Sequence, residues 1–404
     1  MVNTKVLLND GLDEEGLELF HKVGIETNTE KKDQQTLVEV IGNYDGLVVR
    51  SATDVPQEVI EAGAIGNLKI VGRAGVGVDN IDAGTSTENG VIVKFAPYGN
   101  TNSAAQHTLF LIGAVSRNIP QSHYALKNGI WQKKPFKGVE LTPETTLGVI
   151  GCGRVGQRLS ELVRGLDVNV VGYDESPEKV KNYFPNSRIK YMSKEEVLEI
   201  SDYVSVHIGG KVAIIGESEL SHMKRTAYII NTSRGGNIDE EALYKVLKNG
   251  TIAGAGLDVY SNESEFKEGG EFNNRLKELD NVVLTPHLGA STNEAQRKTS
   301  IEIAEVVIGY LLRGDFTNAV NVGESVAAEE RPVFPMFIHH LDQSGIFADI
   351  SDILRKHNIN IRENPSRQLG KDGTATTVYL LHQHVGPEAL KQINALPRVY
   401  RALI

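Results

Sequence analysis

Three side chains in the second half of this 404-residue chain have the types that proton and hydride chemistry needs. Each follows a short apolar run. Arg234 comes after Ile229-Ile230-Asn231-Thr232-Ser233 and before Gly235-Gly236. Glu263 lies a few residues past Asp258-Val259-Tyr260, and His287 follows Val283-Leu284-Thr285-Pro286. A histidine is the natural general acid/base near neutral pH. A carboxylate beside it would fix the ring and stabilise the imidazolium. An arginine offers a planar fork to a carboxylate or a carbonyl oxygen. Taken singly, each has a plainer reading. His287 would cap a strand end, Glu263 would belong to an acidic loop, and Arg234 would pair with a surface acid.

A second group points to a nucleotide. Leu147–Ile150 is an apolar run that enters Gly151-Cys152-Gly153-Arg154-Val155-Gly156, a helical pattern follows, and a second apolar run stops at Asp174. Gly151 permits the tight turn, Gly153 lets backbone N–H groups approach a pyrophosphate, and Gly156 lets the helix pack on the strand. The helix N-terminus offers free N–H donors to the phosphates. Asp174 is placed for the adenine ribose hydroxyls. Glu175 and Ser176 follow it rather than Arg or Lys, so a 2′-phosphate would meet carboxylates and NAD is favoured over NADP.

These residues need a frame, and the apolar runs supply it. Residues 1–98 alternate strands (Lys5–Leu8, Gly46–Val49, Leu68–Val71, Val91–Lys94) with helical patterns, one of them opened by Asp13 as its cap. Such alternation predicts a parallel sheet, with ligands beyond the carboxyl ends of its strands. Arg50 and Arg73 fall there, as anion binders or as solvated charges. Ala96–Asn100 is turn chemistry. A helix is expected over Ser103–Arg117, where His107 reads as a packed residue, and an exposed loop over Tyr124–Phe136. Gly323–Arg331 reads as a linker. The final seventy residues predict a βαββαβ unit, ferredoxin-like, with strands at 332–338, 359–362, 374–381 and 399–404 and a sheet face available for pairing.

Composition narrows the class. Apolar residues at 40% and charged residues at 23% are ordinary for a globular protein. A formal charge of −10 argues against nucleic acid or an anionic membrane as partner. The single cysteine, Cys152, excludes a disulfide framework and a cysteine-based zinc site, and no metal is expected. Its place in the glycine loop is explained by small size. No run approaches membrane-spanning length and MVNTKVLLND is no secretory leader, so the expectation is cytoplasmic.

The segments GRAGVGVDNID (72–82), GCGRVG (151–156), NTSRGGNIDE (231–240), AGAGLDVY (253–260) and TPHLGAST (285–292) occur in this order. In this the chain resembles the D-isomer-specific 2-hydroxyacid dehydrogenases over nearly its whole length. The resemblance implies a Rossmann NAD-binding domain (99–287) inserted into a flavodoxin-like substrate domain (1–98 and 288–322). It implies Arg234, Glu263 and His287 as the catalytic set. It places Gly151, Gly153, Arg154, Val155, Gly156, Asp174, Thr232, Ser233, Asp258, His287, Gly289 and Ala290 on NAD. A small anionic 2-hydroxy acid would meet Arg234, Gly75, Val76 and Gly77. Arg50 and Arg73, with Lys133 or Lys134 from a neighbouring subunit, would attract a phosphate.

The C-terminal unit (331–404) looks like an ACT domain, which implies an L-serine effector on His340, Asp342 and Asn360. A homodimer or homotetramer is implied as well. The chain departs from the family pattern at Gln106, Val76, Ser264 and Ser344. The expected reaction is oxidation of 3-phospho-D-glycerate to 3-phosphohydroxypyruvate, at the entry to serine synthesis. Reduction of hydroxypyruvate or glyoxylate, and a non-catalytic dinucleotide sensor, are the alternatives.

Overall fold

The computed structural model describes residues 4–210, 213–266, 269–321, 334–362, 366–369 and 373–404; the linker expected at 323–331 lies outside them. The chain forms two compact units, residues 1–99 with 296–404, and residues 100–295.

In the first unit, β1 (Lys5–Leu8), β2 (Glu26–Asn28), β3 (Gly46–Val49), β4 (Ile70–Arg73) and β5 (Ile92–Phe95) form a sheet in the order β2-β1-β3-β4-β5. All its pairings are parallel, the flavodoxin-like order. Parallel sheets are covered on both faces, so their strands read as continuous apolar runs. One face packs Leu47, Val49 and Val71 against Leu37, Ile60 and Ala64 of two helices. The other packs Val48 and Ile70 against Phe20 and against Ile303 and Val307 of the long helix Asn293–Arg313. After that helix the chain crosses back along β5, where the Val320 N–H donates to Val93 O (2.9 Å). The helix Glu14–Lys22 lacks the side-chain cap expected from Asp13. Asp13 is engaged elsewhere: its carboxylate accepts from the Ser300 hydroxyl at 3.0 Å.

The second unit holds β6 (Thr146–Ile150), β7 (Asn169–Tyr173), β8 (Lys190–Tyr191), β9 (Tyr203–Val206), β10 (Tyr228–Asn231), β11 (Gly254–Leu257) and β12 (Val282–Leu284). Their order is β12-β11-β10-β9-β6-β7-β8, parallel throughout. Chain order reverses between β6 and β9, the Rossmann switch point. Residues expected in an exposed loop from Tyr124 begin inside a helix, Ile119–Lys127, with Pro120 at its first positions and Asn118 before it in the left-handed region (φ 50°). The larger apolar residues of that helix, Ile119, Tyr124 and Leu126, are exposed and gave no core-facing pattern to read.

A four-stranded antiparallel sheet in the first unit joins β13 (Phe334–Leu341), β14 (Ser366–Leu369), β15 (Thr374–Leu381) and β16 (Val399–Leu403) in the order β14-β15-β13-β16. This is the ferredoxin-like arrangement. The strand expected at 359–362 makes only an isolated bridge, Ile361 to Leu381, and the ladder is carried by 366–369. One face packs Met336, Ile338 and Tyr379 under the helices Ile346–Lys356 and Pro387–Asn394. The other is not free for pairing, as the sequence suggested. Phe337, Val378 and Leu380 join the core of the first sheet, with Phe337 and Tyr310 ring centroids 5.0 Å apart.

Candidate active site

The three candidate catalytic residues lie on loops after adjacent strands. Asn231, Leu257 and Leu284 are in register at the carboxyl ends of β10, β11 and β12, so the three loops leave the sheet at one level. The β10 loop is tied down by Asn231, whose Oδ1 accepts from Ser233 N (3.0 Å) and whose Nδ2 donates to Arg234 O (2.9 Å). Arg234 Nη1 donates to Ser233 O at 2.7 Å. Gly235 then abuts the next loop so closely that a Cβ would sit 1.9 Å from the Tyr260 carbonyl carbon. Only glycine permits that approach.

The Glu263 loop is held by two devices. Tyr260, Phe266 and Phe272 form an aromatic cluster, with Tyr260 and Phe272 centroids 4.8 Å apart. Glu240, in the first turn of the helix capped by Asp239, accepts from Ser261 N and, at 2.8 Å, from Asn274 Nδ2. Glu263 Oε1 meets His287 Nδ1 in a short hydrogen bond. Both side chains stay partly open to solvent, and Nε2 of His287 makes no hydrogen bond to a described residue.

Asp258 organises the His287 loop. Its fully buried carboxylate accepts from Leu288 N and Gly289 N (both 2.8 Å) and from the Thr285 hydroxyl (2.5 Å), and lies 3.1 Å from His107 Nε2. Burial works against its charge, but the hydrogen bonds from His107, Thr285 and Leu288 outweigh it and hold the group below the usual carboxylate value. His107 is the packed residue expected of it, yet it serves this loop. Tyr260 also donates to Thr285 O at 2.9 Å. Spacing gives no sign of either contact, because the partners are 25 and 151 residues apart.

The glycine loop has the geometry that a dinucleotide requires. Gly151 is left-handed (φ 92°). Space is open around Gly153, which precedes the helix Arg154–Leu162 and gives it no side-chain cap. Gly156 presses on the turn, where a Cβ would lie 2.6 Å from Gly151 O. Asp174 accepts from Cys152 N and Ser176 N (both 2.9 Å), which aims its carboxylate at the loop and leaves lone pairs for ribose hydroxyls. Cys152 is buried, and burial pushes its thiol up to about 12. Arg154 and Val155 are half-buried at the helix start, and the Thr232 hydroxyl pairs with Thr108 at 2.7 Å.

These features fit the family model that matches residues 109–289, D-isomer specific 2-hydroxyacid dehydrogenase, NAD binding domain. A hydroxypyruvate reductase of Thermotoga maritima is 39% identical over 315 residues, covering 77% of this chain and 99% of its own. The chain belongs to the D-isomer specific 2-hydroxyacid dehydrogenases. A D-3-phosphoglycerate dehydrogenase of Archaeoglobus fulgidus is 40% identical over 322 residues, which are 79% of this chain but 59% of that one. A glyoxylate reductase from Paecilomyes thermophila superposes with a TM-score of 0.69 at 26% identity, covering 79% of this chain and 99% of its own. The chain thus spans about three fifths of the length of the phosphoglycerate dehydrogenases it matches.

The remaining candidates lie in the first unit. Arg50, just past β3, donates through Nη2 to Ser300 (3.0 Å) and stands 3.8 Å from Asp13; burial pulls its pKa down. Arg73, closing β4, lies over Gly75, which has φ 146° and no room for a Cβ beside Arg73 Nη1. Val76 is exposed and Gly77 half-buried. His340 is fully buried, with Nδ1 2.8 Å from Leu341 O and Nε2 2.8 Å from Thr377 Oγ1. Asp342 is half-buried and Asn360 exposed. In the second unit, Lys133 and Lys134 are exposed beside Trp131.

Proposed function

We propose that the chain oxidises 3-phospho-D-glycerate to 3-phosphohydroxypyruvate. The observation that carries the chemistry is the Glu263–His287 pair, with Nδ1 engaged and Nε2 left for a substrate hydroxyl. NAD, held by the Gly151–Gly156 loop and Asp174, supplies a hydride acceptor. His287 Nε2 takes the hydroxyl proton as the C2–H electron pair departs as hydride. Glu263 offsets the charge that reaches the ring, and Arg234 holds the forming keto acid through its carboxylate or carbonyl oxygen. Arg50 and Arg73, with the backbone of Gly75–Gly77, are the first unit's own candidates for a phosphate and a carboxylate. The names of the curated relatives at 34–41% identity support this substrate.

A second reading, hydroxypyruvate reduction, is favoured by the Thermotoga maritima relative, which this chain covers almost end to end. A panel of 2-hydroxy acids with and without phosphate, followed by NADH formation, separates the two. Preference for D-glycerate over 3-phospho-D-glycerate would overturn the first reading. Self-association is supported by Phe110, Tyr124, Leu126, Ile130 and Trp131, all exposed within a short stretch of chain. Of the residues expected to hold an L-serine effector, His340 is fully buried, so serine would act at Asp342 and Asn360, and an Asn360→Ala variant still inhibited by serine to the same degree would remove that assignment. A cytoplasmic location agrees with the single cysteine of the sequence, which leaves no disulfide framework. No described helix is long and apolar enough to cross a membrane.

A further inference from the structure

We propose that His107 is a positioning residue for the dehydrogenase reaction: its ring donates to the Asp258 carboxylate and through it holds the His287 loop in its working turn. The inference rests on the reading of His287 as the acid/base.

His107 lies in the helix Thr101–Ser116, in the same unit as Asp258 and His287. Its Nε2 stands 3.1 Å from Asp258 Oδ1 and 3.1 Å from Thr285 Oγ1. The Thr285 hydroxyl gives its own proton to Asp258 at 2.5 Å. Nε2 therefore faces two acceptors and carries a ring proton. Asp258 is fully buried, and a carboxylate so placed stays charged only while donors surround it. The Leu288 and Gly289 N–H groups, the Thr285 hydroxyl and His107 supply them. Of these four donors, His107 is the ionisable one.

The two main-chain donors couple this charge to the site. A charged Asp258 accepts from both, and its carbonyl oxygen accepts from His287 N at 2.8 Å, which fixes the turn at φ 54°. A protonated Asp258 would bring a donor into a shell already made of donors, and one of those contacts must break. Tyr260 and the Glu263–His287 pair are the other titratable groups around this loop. Burial and the Asp258 charge push the Tyr260 phenol up, so it stays neutral. Without His107, fewer hydrogen bonds oppose the burial of Asp258, and the carboxylate takes up a proton at a higher pH.

The acid side of the reverse reaction tests this. There, hydride from NADH reaches C2 of a 2-keto acid and His287 gives its proton to the carbonyl oxygen. Protonation of His287 favours that direction, so its own titration does not mask Asp258 at low pH. The rate of 3-phosphohydroxypyruvate or hydroxypyruvate reduction, whichever is faster, is followed as pH falls. His107→Leu should lose its rate about 1 pH unit or more above the wild type. His107→Gln keeps a donor at the place of Nε2 and should restore the wild-type profile. An unmoved acid limb in His107→Leu, an equal loss at every pH, or a His107→Gln profile like that of His107→Leu would each overturn the proposal. Nitrogen NMR of the wild-type ring tests it without a substitution: Nε2 should stay protonated across the same range, and a bare Nε2 would overturn it. Wild-type turnover in His287→Ala would strike the acid/base reading itself, an outcome distinct from an unmoved acid limb.

Discussion

His287 sits in the left-handed region (φ 54°), a conformation that costs a residue other than glycine on the order of 1–3 kcal/mol. The surroundings over-determine it. Its N–H donates to Asp258 O (2.8 Å), and the two residues after it are held by the Asp258 carboxylate. Strain held this way presents a ring in one orientation rather than several. His287→Ala is expected to slow turnover by about 100-fold or more, as loss of a general acid/base does. NAD affinity should barely change; wild-type turnover would remove His287 from the chemistry. Asp174→Ala should weaken NAD and narrow its preference over NADP, read from the ratio of kcat/KM values for the two cofactors.

At the scale of elements, the site depends on two close approaches that no polar residue announces. Gly235 against Tyr260 brings the Arg234 loop onto the Glu263 loop, and Gly156 against Gly151 seats the helix beneath the pyrophosphate position. A methyl group at 235 would need a backbone shift, since the obstructing atom belongs to the main chain. Gly235→Ala should therefore lower both kcat and thermal stability, with a loss of several degrees in Tm by calorimetry; a variant with unaltered kcat and Tm would show that the loops yield freely. The glycine loop was legible because each of its roles is local. The Gly235 contact was not, because its partner lies 25 residues away, on the loop after the next strand.

For the whole molecule, two histidines set a pH dependence. Desolvation lowers His207 and His339 from 6.5 to about 4. The unfolded chain then binds more protons than the native one between these values, so stability falls as pH drops from about 6.5 to about 4. Each group contributes on the order of 3 kcal/mol at most to that loss. Urea unfolding across this window should show it, and His339→Gln should flatten the decline. An unchanged slope would mean that other groups dominate acid unfolding.

The sequence by itself determined most of the strands, the glycine turn, the terminal Asp174 and the three loop residues of the candidate catalytic set. Those signals are local: apolar runs of strand length, glycines at fixed offsets, and polar residues just past a run's end. Tertiary structure decided which loops are neighbours. The order β12-β11-β10-β9-β6-β7-β8 sets β10, β11 and β12 side by side, and only then do Glu263 and His287 meet and Asp258 gather His107, Thr285 and Leu288. It also covered the second face of the C-terminal sheet, through Phe337, Val378 and Leu380. Pairing between strands and burial of facing surfaces are long-range energies, and a local pattern records that a surface is apolar without recording what covers it.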